Sequence, residues 1–315
     1  MRAPGQILST ALAFLTILAS AISACADEGD FKADPPALCS SCADWNRPQV
    51  PFRIFGNTYY VGTANLSSIL ITTEDGLILL DGALPQSAPL IAANIEKLGF
   101  KVRDVRFILN SHAHFDHAGG IAALQRASGA RVVASPAGAL ALRGGGPTPD
   151  DPQYDMPAEE KLFPALPNVE PLQDGQAVTL GGVAVTAHLT PGHTPGSTSW
   201  TWQSCEGGQC LNVVYADSLS AVSAPGFRFS GDAAHPSRVA AFERSIATVA
   251  ALPCDILLAP HPRFAGMAEK LKRREDNPGE NPFVDATACK AYAQAAKAGL
   301  ERRLRAEAGA PSDIK

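Results

Sequence analysis

A sandwich of two mixed β-sheets with helices on both outer faces, an αβ/βα four-layer fold, is the class this sequence predicts. Short β-branched runs give way to helical spacing twice along the chain, in two halves of similar design. The 315 residues, 46% hydrophobic and 18% charged, suffice for the substantial core such a fold needs. A Gly- and Pro-rich stretch, 144–157, falls between the halves as a long surface loop, a candidate to lie over a site. No sequence repeat relates the two halves.

Residues 1–24 read as a signal peptide, with Arg2 as the positive start, an apolar run over 8–21 and small residues after it. The run is too short for a comfortable membrane span, and no other stretch approaches the roughly 18 apolar residues of one. Ala24-Cys25-Ala26 suits an ordinary signal peptidase, whereas Ile22-Ser23-Ala24-Cys25 resembles a lipobox that would anchor Cys25 to lipid. Either way, the mature chain is expected in the periplasm. Of 26 basic and 31 acidic side chains the leader removes only Arg2, leaving 25 against 31 and a net charge of −6. This balance argues against nucleic acid as a partner.

Residues 25–44 read as an irregular arm, followed by a single domain over 45–315. Strand-like runs cover 52–60, 67–73 and 77–80, the last two joined by the turn Glu74-Asp75-Gly76. Helical spacing over 90–98 stops at Gly99. A buried strand, 105–109, leads into the polar segment 110–117 and a helix near Gly119-Gly120, and a strand at 131–134 with a short helix completes this half. The second half has strands near 177–180, 183–189, 198–202 and 211–215, a helix over 236–252, a strand at 256–258 and a C-terminal helix over 282–306.

With Cys25 set aside, six of the seven cysteines remain, and an exported chain makes disulfides the default. Cys205 and Cys210 flank Glu-Gly-Gly-Gln, which suits a staple across a hairpin tip; Cys254 and Cys289 would join the last strand to the C-terminal helix. Cys39 and Cys42 are left as a redox pair, half a zinc site, a strained local disulfide or free thiols.

The strongest chemical signal is His112-Ala113-His114-Phe115-Asp116-His117, four metal-competent side chains in six residues directly after a buried strand. In extended chain His112, His114 and Asp116 project to one side, and His117 turns away at the helix start, so neighbouring residues can serve two ions. Gly119 and Gly120 remove bulk where the backbone passes the site. Further ligands are expected from turns at strand ends: His193 in Thr-Pro-Gly-His-Thr-Pro-Gly and His261 in Ala-Pro-His-Pro. His188, inside a strand, and His235, in a helix-entry loop, read as structural. His112, His114 and His193 then give one ion three nitrogens, and Asp116, His117 and His261 give the second a mixed set. Five imidazoles favour Zn²⁺ or its transition-metal neighbours over magnesium or manganese, both ions keep open positions, and a bridging water would be acidified to hydroxide at neutral pH.

The His-x-His-x-Asp-His segment is similar to the signature of the metallo-β-lactamase superfamily, which identifies fold and metals but not substrate. Phe55 to Thr63, Leu80-Asp81-Gly82-Ala83, Thr190 to Thr194, Ala216 to Ala221 and Ala259 to Pro262 together resemble the third subclass of class B β-lactamases, over roughly Trp45 to Cys289. The resemblance implies two zinc ions per chain on the six ligands above, with Asp116 orienting a zinc-bound hydroxide and Ser218 and Ser220 contacting the substrate carboxylate. It also implies the Cys205–Cys210 and Cys254–Cys289 bridges and a monomer that opens penicillins, cephalosporins and carbapenems, giving antibiotic resistance. Some relatives tether the arm to a cysteine where this chain has Ala64. Asp217 either bridges the metals, as in lactonases and thioesterases, or points into the structure, which the resemblance favours. The alternatives are a lactonase or thioesterase on the same scaffold, or a periplasmic zinc-binding protein without catalysis.

Overall fold

A computed structural model of the chain describes Met1, residues 31–233 and residues 235–309. The leader and Cys25 lie outside the described residues. No helix among the described residues is long and apolar enough to cross a membrane.

The first half opens with a one-turn helix, α1 (Cys42–Trp45), and two short strands, β1 (Phe52–Phe55) and β2 (Thr58–Tyr60). One continuous strand was expected over 52–60; Gly56, at φ +49°, turns the chain there, and β1 folds back antiparallel on β2. Next come β3 (Ile69–Thr73), β4 (Gly76–Leu80), α2 (Ala88–Lys97), β5 (Val105–Leu109), α3 (Phe115–Ala118), α4 (Ile121–Ser128), β6 (Arg131–Ala134), α5 (Pro136–Gly144) and β7 (Val169–Pro171). Strands β1 to β7 form one sheet in sequence order, antiparallel up to β4 and parallel from β4 to β7.

The second half contains β8 (Ala177–Leu180), β9 (Val183–Leu189), β10 (Thr198–Glu206), β11 (Gln209–Tyr215), α6 (Val239–Ala251), β12 (Ile256–Leu258), α7 (Met267–Asp276) and α8 (Ala288–Glu307). Its sheet has the order β12-β11-β10-β9-β8, with only the β11–β12 pair parallel. Helix α7 was not expected, because its sequence is strongly charged and buries only Met267 fully. The final helix begins at Ala288, six residues later than its expected start, because 282–287 form a turn in which Asp285 accepts from Thr287.

Side-chain alternation assigns the layers. Ile78 and Leu80 of β4 meet Val213 and Tyr215 of β11 in a core between the sheets, with Trp200 fully buried among them. Leu77 and Leu79 face Ile91, Ile95 and Leu124 of the helices on the first sheet. On the far side, Val214 and Leu257 pack against Phe242, Ile246, Tyr292 and Leu300 from α6 and α8. The result is the two-sheet α/β sandwich expected from the sequence.

Candidate metal centre

The C-terminal ends of β5, β11 and β12 and the turn after β9 converge at one edge of the sandwich. Each supplies part of one cluster: residues 112–117 follow β5, His193 lies between β9 and β10, residues 217–220 follow β11, and His261 follows β12. The β5 loop is fixed from behind by Asp81, which stands at φ +59°, an unusual backbone for a residue with a side chain. Its buried carboxylate accepts from Ser111 N at 2.8 Å, Ser111 Oγ at 2.6 Å, Asn110 Nδ2 at 3.0 Å and Tyr215 OH at 2.7 Å. Burial pushes the Asp81 pKa up to about 6 against these donors, so it is still mostly ionised at neutral pH.

Gly119 and Gly120 serve this scaffold rather than the cleft. A Cβ on Gly119 would stand 2.3 Å from Pro85 Cδ, and one on Gly120 would stand 2.3 Å from the Gly82 carbonyl. The backbone they bring close is therefore the segment after β4.

Donor atoms of His112, His114 and His193 lie within 4.8 Å of one another, as do those of His112, Asp116 and His117. His261 completes the cluster: its Nε2 is 3.2 Å from Asp116 Oδ2, and His117 Nε2 is 3.1 Å from the same oxygen. All six side chains expected as ligands are thus brought together. His188, bonded to Thr201 Oγ1 at 2.8 Å, and His235, near Asp232, take no part.

Three of these histidines have one ring nitrogen committed elsewhere. His112 Nδ1 lies 2.7 Å from Asp217 Oδ1, His114 Nε2 lies 3.2 Å from Asp151 Oδ1, and His193 Nδ1 donates to the Ser220 carbonyl at 2.8 Å. With Nδ1 donating to Asp217, His112 Nε2 keeps a lone pair, and this buried atom has no protein partner. Orphaned donor nitrogens beside an anionic oxygen fit a cation, and imidazole orientation by a carboxylate or carbonyl is usual for metal ligands. Burial also holds His193 down to about 3 and His112 well below the histidine range, so both rings are neutral. Burial opposes ionisation of Asp116, but the charge of His117 and hydrogen bonds from His117 and His261 hold its pKa well below the usual carboxylate value.

Asp217 therefore stands behind His112. Its backbone is locked as well, with its N–H donating to Ser199 Oγ at 3.0 Å and its carbonyl accepting from Tyr292 OH at 2.8 Å. Asp151 was not singled out in the sequence. It sits in an Asp-Asp-Pro run of the 144–157 loop, 37 residues from His114, and no spacing rule connects them. Gln153 and Met156 of the same loop roof the cleft, a cavity of about 240 Å³ also lined by Trp45, Phe115, Ser218 and Ser220. Trp45 packs 5.5 Å from the His261 ring, and Cys39, Ser40 and Ser41 of the preceding arm also line the cleft.

The cysteines pair as Cys39–Cys42, Cys205–Cys210 and Cys254–Cys289. Cys205 and Cys210 are directly opposite in the β10–β11 register.

A two-sheet sandwich with a buried His/Asp cluster at the ends of its strands defines a metallohydrolase scaffold. Residues 62–206 match the family model of the metallo-β-lactamase superfamily. MEM-A1, a subclass B3 metallo-β-lactamase from a soil metagenome library, is 50% identical at a TM-score of 0.80, the match covering 84% of this chain and 99% of that one. MIM-1 from Novosphingobium pentaromativorans is 45% identical at a TM-score of 0.77, covering 84% and 93%. A hydroxyacylglutathione hydrolase of Anaeromyxobacter dehalogenans is 30% identical over 187 residues; the match spans 59% of this chain and 57% of that relative's length. The chain belongs to the metallo-β-lactamase superfamily, among its subclass B3 members.

Proposed function

We propose that the chain is a di-zinc β-lactamase that hydrolyses the lactam amide of penicillins, cephalosporins and carbapenems. The observation that carries this reading is the donor set, five imidazoles and Asp116 in two adjoining groups beside Ser218 and Ser220. Five nitrogens favour zinc over oxygen-seeking cations. His112, His114 and His193 would hold one ion, and Asp116, His117 and His261 the other. Zinc held there would supply Lewis acidity and would acidify a water at neutral pH.

The protein's own groups do the positioning. Asp116 orients the attacking water towards the lactam carbonyl. The hydroxyls of Ser218 and Ser220 bind the substrate carboxylate and thereby align the ring. Trp45 and Phe115 supply an apolar wall that keeps bulk water from the reacting bond. The Asp217 carboxylate, engaged by His112 Nδ1, favours this reading over a thioesterase or lactonase, which would use it as a metal bridge. Three disulfides support export to an oxidising compartment, and we infer a monomeric periplasmic protein, soluble or held by a lipid at Cys25.

Purified protein assayed with a chromogenic cephalosporin tests the reading. Turnover is expected to vanish with chelator, return with Zn²⁺, and survive a serine-acylating inhibitor. His114→Ala and Asp116→Ala are expected to lose at least about a hundredfold in kcat/KM with the fold retained. Hydrolysis of thioesters or lactones without any lactam turnover refutes it.

A further inference from the structure

Beside the metal cleft lies a second cavity of about 550 Å³, more than twice the cleft's 240 Å³. Its volume falls in the range of roughly 300–1,000 Å³ usual for small-molecule sites. The floor is apolar and buried, made by Leu219, Leu257 and Tyr292. One face of α8 forms a wall in which Ala291, Ala295 and Gly299 recur every four residues. The small side chains leave this wall open: a Cβ on Gly299 would meet nothing nearer than Arg302 Nη2 at 3.8 Å.

The charged lining is asymmetric. Arg302 is cationic at one end, whereas at the other Lys270 is already compensated by the one acid, Asp285, whose charge supports the lysine against its burial. Val222 and Phe264 add exposed apolar surface at the rim, at 51% and 44%. An apolar trough with surplus positive charge is complementary to a molecule with a hydrocarbon body and a single anionic end.

We propose that this cavity is a binding site for an amphipathic monocarboxylate, its tail along the alanine face of α8 and its carboxylate at Arg302, whose Nη2 lies beside Gly299. Ser220, Val222 and Phe264 line both this cavity and the metal cleft, so an occupant touches the segment that carries Ser218 and Ser220. The binding itself does not depend on the reaction assigned to the metal centre.

Calorimetric titration of the zinc-loaded protein with decanoate tests the proposal. One saturable site is expected, with octanoate weaker by roughly tenfold for its two missing methylenes. Decylammonium is expected to bind at least roughly tenfold more weakly than decanoate, and Arg302→Glu to weaken decanoate by a similar factor. Gly299→Leu, which places a side chain in the trough, is expected to abolish binding with the melting temperature unchanged; Ala295→Leu is the second filling variant. Failure of decanoate to bind, equal affinity for decylammonium, or full binding by both filling variants overturns the proposal. So does displacement of decanoate by mercaptoacetate, a thiol directed at the metal, since the carboxylate would then be sitting at zinc.

Discussion

At the scale of single residues, the site is defined as much by what stands behind the ligands as by the ligands. Asp217 fixes the His112 ring through Nδ1, and Asp151 does the same for His114 through Nε2. Asp217→Asn keeps the shape but removes the charge that makes His112 a better donor, so metal affinity is expected to fall about tenfold to a hundredfold. Competition with a chromophoric chelator measures this, and an unchanged affinity would show that Asp217 merely fills space. The candidate ligands were legible in the sequence because His-x-His-x-Asp-His concentrates four of them in one loop and because Gly and Pro flank His193 and His261. Of their partners, Asp217 was placed away from the metals only by the family resemblance, and Asp151 was not foreseen. An aspartate 37 or 105 residues away becomes a histidine's partner only through folding, and no spacing rule marks either pairing.

Helix α8 shows how an element can be tied at both ends. Cys289 bonds it to Cys254 in its first turn, and Glu307 in its last turn accepts from Phe229 N at 2.8 Å, Ser230 N at 2.9 Å and Arg303 Nε at 2.7 Å. Removing Cys254–Cys289, which spans 35 residues, is expected to cost about 4 kcal/mol, against about 2 kcal/mol for Cys205–Cys210, which spans 5. Denaturant melts of the two double-serine variants compare them, and equal losses would contradict an entropic origin. Burial raises the Glu307 pKa, but hydrogen bonds from Ser230, Phe229 and Arg303 outweigh it and leave the folded value below that of an ordinary glutamate. Its contribution to stability is therefore complete above the unfolded pKa near about 4.3 and is lost as pH falls through the folded value. Glu307→Gln is expected to flatten the acid limb of a stability–pH curve below about pH 5, and a parallel limb would exclude this assignment. Periodicity revealed most elements, yet it missed α7, whose charged sequence offers almost no apolar face, and joined β1 to β2 across Gly56.

For the molecule as a whole, the proposed ligand set draws on both sheets. Residues 112–117 belong to the first sheet, and His193 and His261 to the second. Bound metal stabilises the folded state by mass action, so a chelator is expected to lower the melting temperature and excess zinc to restore it, as differential scanning calorimetry would show. A melting temperature indifferent to chelator would mean that the cluster holds no ion in solution. The sandwich itself was readable from two strand-to-helix successions, whereas the cavity beside α8 was not. Alanines and a glycine on one helix face look like ordinary packing until the opposing wall is known.

Because those ligands arrive from opposite sides of the Trp200 layer, their separation is set by how the sheets seat on one another. Ion affinity thereby becomes a ruler for interior fit: trimming Val213 or Leu109, neither of which is a ligand, would loosen that spacing and show as faster escape of zinc before any strand was lost.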